Sequence, residues 1–92
     1  MEIAIHFLYM RSVRVAKARA VMALMAQESE RDREAIRRYF DGDTHTSIWA
    51  NMGYPDIDDV RRLCAKYKPY RGPTVLADIQ AVIAADISLE SF

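Results

Sequence analysis

Residues 11–27, RSVRVAKARAVMALMAQ, decide how this chain folds. At about 100° per residue, Val13, Ala16, Ala20 and Leu24 share one side of a helix, while Val15, Ala18, Met22 and Met25 share nearly the opposite side. A surface helix of a small domain shows one apolar stripe and a solvated back. Two stripes imply that both sides are covered, by this chain or by something it binds.

Upstream, EIAIHFLYM at residues 2–10 is rich in β-branched and aromatic side chains. As a strand it places Ile3, Ile5, Phe7 and Tyr9 on one side and Ala4, His6 and Leu8 on the other. No second strand is evident downstream, and a lone strand leaves its backbone donors and acceptors unpaired. The segment is therefore either a strand that pairs outside the chain or the first turns of the helix that follows.

Downstream, ESERDREAIRRYF (residues 28–40) carries Ala35, Ile36, Tyr39 and Phe40 at helical spacing. Ser29 followed by Asp32 resembles a weakened capping box, and early acids with Arg37 and Arg38 late match the helix dipole. A second helix starts near Ser29 unless the first runs through, and Gly42 supplies a left-handed cap. A single helical turn is expected around Ser47–Asn51, before the break at Gly53, Tyr54 and Pro55. Asp56 then caps a helix with Ile57, Val60, Leu63, Cys64 and Tyr67 on one face. After Pro69, Gly72 and Pro73, Thr74 caps a last helix whose inner face is Val75, Ile79, Val82, Ile83 and Ile87. The expectation is one mainly α domain over residues 1–92, a small bundle of three or four helices with at most one N-terminal β-strand.

Bulk properties narrow the function classes. Hydrophobic residues make up 51% and charged residues 28%, a globular balance that excludes wholesale disorder. The formal net charge is zero, so no bulk field draws the chain to phosphate backbones or anionic lipid. The charge is polarised all the same. Residues 1–40 hold eight Lys/Arg against five Asp/Glu and residues 41–92 hold five against eight, so the halves attract each other or a second copy. Cys64 is the only cysteine, which rules out an intrachain disulfide or a cysteine-based zinc cluster and agrees with a reducing cytoplasm. The apolar run that ends at Arg11 is too short to span a bilayer, and its basic residues follow it instead of preceding it as in a signal peptide.

Specific chemistry is sparse. Asp41, Asp43 and His45 alternate acids with an imidazole, but the third oxygen ligand and closing glutamate of a calcium loop are missing, so no metal is expected. His6 has no nucleophile in a recognisable relation to it, and Cys64 falls on the inner face of its helix. Walker, dinucleotide-fingerprint, HExxH and GxSxG patterns do not occur. The chain therefore reads as a non-enzymatic protein without a cofactor.

Surfaces remain. Val15, Ala18, Met22 and Met25 are expected to form a protein interface, with a homodimer the simplest way to cover them. Trp49, Tyr54, Tyr67 and Tyr70 flank the two breaks and either anchor an interface or plug the ends of the bundle; Trp49, Tyr54 and Tyr70 are carried forward as interface residues. The function expected is binding to a larger protein and occluding its surface. The alternative is a small DNA-associated regulator using Arg11, Arg14, Lys17 and Arg19, unless Asp56, Asp58 and Asp59 neutralise that row.

Overall fold

The computed structural model describes residues 2–90, with side chains described from Ser12 to Asp86. Five helices follow one another: α1 (Glu2–Met25), α2 (Glu30–Phe40), α3 (His45–Met52), α4 (Ile57–Tyr67) and α5 (Val75–Glu90), with a 3₁₀ turn at Lys68–Tyr70 after α4. Among the described residues there is no strand. The strand alternative for residues 2–10 is thereby corrected. Their backbone continues into α1, which pairs carbonyls and N–H groups within one segment where a lone strand would have left them open. His6 and the other side chains of residues 2–11, Arg11 included, lie outside the described side chains, as does Ile87.

The boundaries follow from local chemistry. The Ser29 hydroxyl accepts the Asp32 N–H at 3.1 Å, so α1 and α2 are separate helices. After α2, Gly42 sits at φ +105°; its N–H donates to the Tyr39 carbonyl, and the Asp43 N–H donates to the Arg38 carbonyl. These two bonds are a Schellman termination, which a residue with a Cβ enters only with strain. The Thr44 hydroxyl accepts the Ser47 N–H at 3.1 Å and starts α3, a full two turns where the sequence suggested one. The Asp56 carboxylate accepts the Asp58 N–H at 2.9 Å and starts α4. At α5 the Thr74 carbonyl accepts the Asp78 N–H, while the Thr74 hydroxyl donates to the Asp78 carboxylate.

Helices α2, α3 and α4 pack on one another, whereas α5 packs on α1 and touches α2. Tyr67, Ile36, Ile48, Val21, Val60 and Cys64 are the largest fully buried side chains, drawn from α1 to α4. From α5 come Val75, Ile79 and Val82. The halves of opposite charge do meet: Arg14 of α1 grips Asp78 of α5, and Arg19 pairs with Asp86.

The molecule is thin. Its extents are 52 × 32 × 17 Å and its radius of gyration is 15.5 Å. A compact chain of this length has a radius of gyration of about 12 Å. A flattened bundle has more surface for its volume, so apolar side chains reach solvent that a rounder fold would cover.

Candidate protein-binding groove

The two stripes of α1 meet different fates. Ala18 and Val21 are 0% exposed and Met25 is buried, so the inward face runs along Ala18, Val21 and Met25. Val15 and Met22 flank this line and are half-buried. The opposite stripe is the more open one: Val13 is 45% exposed and Ala16 is exposed, while Ala20 and Leu24 are half-buried. Ala18 and Met25, expected at an interface, are covered by this chain's own packing. The dimer that was to hide them loses its simplest reason.

Met22 and Met25 instead form one wall of a groove between three helices. Leu76, Ile79, Gln80 and Ile83 of α5 form the facing wall, Arg33 and Arg37 of α2 form the rim, and Ala26 closes one corner. The groove is open to solvent along its length and its volume is about 500 Å³, within the usual range of ligand pockets. Geometry on α5 explains why the groove exists. Val75, Ile79 and Val82 cluster on the buried line, and Leu76 and Ile83 are displaced by about 100° to its side. Together they make an apolar arc wider than the single core they cover.

Arg33 is held at the rim by its Nη1, which donates to the Glu28 carbonyl at 2.6 Å. The Glu28 carboxylate turns the other way, accepting from Lys66 Nζ at 3.0 Å and from the Tyr67 hydroxyl at 3.2 Å. This contact ties the α1–α2 turn to α4. Arg37 is exposed and donates to Glu34 at 2.8 Å, a surface pair of small energy.

The other nominated residues separate. Tyr54 is 6% exposed; its hydroxyl donates to the Asp32 carboxylate and the Arg31 guanidinium lies 4.1 Å over its ring. Burial, reinforced by Asp32, pushes its phenol well above the ordinary range. Tyr54 thus packs as a plug of the bundle, the second of the two roles its position allowed. Tyr67 is a second plug, its phenol pushed up to about 12 by burial first and Glu28 second. Tyr70 is half-buried against the core, and Trp49 remains 38% exposed on α3. None of these aromatics lines the groove.

Two members of the basic row are paired with acids. Arg14 contacts Asp78 through Nε and Nη2, and that hydrogen bond is the main cause holding the Asp78 carboxyl below its ordinary range. Arg19 faces Asp86 at 3.2 Å, and Lys17 lies close to Gly72. The neutralising acids belong to α5, not to the start of α4, where Asp58 and Asp59 pair with Arg61 and Arg62 and Asp56 is spent as a cap. His45 stacks on Tyr39 with ring centroids 5.9 Å apart, and among the described residues no three metal-ligating side chains gather. Cys64 is buried, and burial raises its thiol to about 11, so it stays protonated at neutral pH. Among the described residues no helix is long and apolar enough to cross a membrane.

No family model, curated protein or solved structure matches the chain.

Sequence reasoning found Met22 and Met25 but missed Leu76, Ile83, Arg33 and Arg37. By spacing, Ile79 and Ile83 belong to the inner face of α5, and nothing local marks Leu76. The usable signal was the breadth of the apolar arc on α5, about 120° counted from Val82 to Leu76.

Proposed function

We propose that this protein is a binding module that docks on a larger protein through the groove between α1, α2 and α5 and so occludes part of its partner's surface. The supporting observation is the open apolar cleft itself. Met22, Leu76 and Ile83 are half-buried on the walls of this cleft, in a fold only 17 Å thick. Clefts lined mainly by apolar side chains with a few polar groups at the edge are where proteins usually take up ligands, and methionine suits surfaces that adapt to a partner. Against the DNA-binding alternative, Asp78 and Asp86 offset the charge of Arg14 and Arg19.

The test is affinity purification from the native host with wild-type chain and with Ile83→Arg, circular dichroism confirming equal helicity. The wild type should retain one larger protein that the variant does not. An identical set of retained proteins would refute this use of the groove.

A further inference from the structure

We infer that the groove accepts an amphipathic helix of the partner, with a carboxylate beside its apolar face that meets Arg33. This rests on the docking function proposed above and specifies the chemistry of what docks. The walls are helices whose peptide groups are consumed by their own hydrogen bonds, so the cleft offers no edge to an extended peptide. A helix arrives with its backbone already satisfied. From Leu76 to Ile83 the groove runs about 10 Å along α5, which seats two turns and three or four apolar side chains of the incoming helix.

Charge fixes the rest. Arg33 is half-buried and spends one donor on the Glu28 carbonyl, and among the described residues no carboxylate lies within 4.0 Å of its guanidinium. Glu28 is committed to Lys66 and Tyr67, Asp32 to Tyr54, and Glu34 to Arg37 and Arg38. A guanidinium with spare donors at the edge of an apolar cleft favours a carboxylate and repels a lysine. Arg37 stands one turn further along the same rim, so a second acid one turn along the partner helix extends the match.

Two fluorescein-labelled amphipathic peptides of roughly 16 residues test this, identical in their leucine and phenylalanine face and differing only in glutamate or lysine on the flanks. Anisotropy with the full chain should show the glutamate peptide binding about tenfold more tightly at moderate salt. The methyl resonances of Met22 and Met25 should move while that of Met52 on α3 stays. Arg33→Gln should remove most of the preference for glutamate without changing helicity. Equal affinities with moving Met22 and Met25 methyls would overturn the acidic partner while leaving the groove as a docking surface. Failure of either peptide to move those methyls up to about 1 mM would overturn both. Methyl shifts that grow with protein concentration alone would assign the groove to a second copy and overturn a hetero-partner.

Discussion

Val21 and Met22 are neighbours in sequence and should respond unequally to the same truncation. Val21 is 0% exposed, whereas Met22 is half-buried at the groove. Val21→Ala removes two methyl groups, about 1.6 kcal/mol of transfer free energy, and leaves a void in packed surroundings. The better helix propensity of alanine returns a few tenths of a kcal/mol. The net loss is about 2 kcal/mol, which for a domain of this size lowers Tm by roughly 8–16 °C. Met22→Ala removes more atoms, but they already face solvent on one side and no closed cavity forms, so its loss is at most about half as large. Thermal unfolding followed at 222 nm reads both variants. Equal losses, or a larger one for Met22, would show that Met22 is core and that the groove is closed in solution.

Tyr54→Phe removes the bond to Asp32 and should cost about 1 kcal/mol, or 4–8 °C in Tm; an unchanged Tm would return Tyr54 to the surface. Gly42→Ala forces a Cβ into φ +105° with no neighbour to blame, and a loss of about 1–2 kcal/mol by urea titration is expected from backbone strain alone. Asp78 has a lowered carboxyl pKa when folded, so its contribution is complete above the ordinary carboxylate range and fades as pH falls through the folded value. Asp78→Asn should therefore lower Tm by a few degrees at pH 7 and by progressively less below about pH 4. A gap that does not narrow in acid would refute the Arg14–Asp78 pairing.

Much of this fold was readable because its polar residues leave little choice. Ser29 and Asp56 cap and Gly42 terminates as their chemistry permits, and α2 and α4 each carry one dominant apolar face. Helix α1 was harder. Alanine looks the same buried or exposed, so the pattern revealed two stripes without telling which one the chain would cover. Val21 lies between the two stripes and belongs to neither by spacing, yet it is fully buried. Residues 2–10 carry strand-forming side chains, but the absence of a pairing partner outweighs propensity there. The groove was legible only in part, because it joins Met22, Arg33 and Ile83 from three helices whose meeting no local pattern records.

Photo-crosslinking tests the docking surface most directly. Benzoylphenylalanine placed at Met22 in the native host should yield one adduct with a larger protein, abolished by Ile83→Arg, while the same probe at the exposed Arg61 of α4 should yield none. No adduct at position 22, or the same adducts from both positions, would contradict the groove as the surface through which this protein acts.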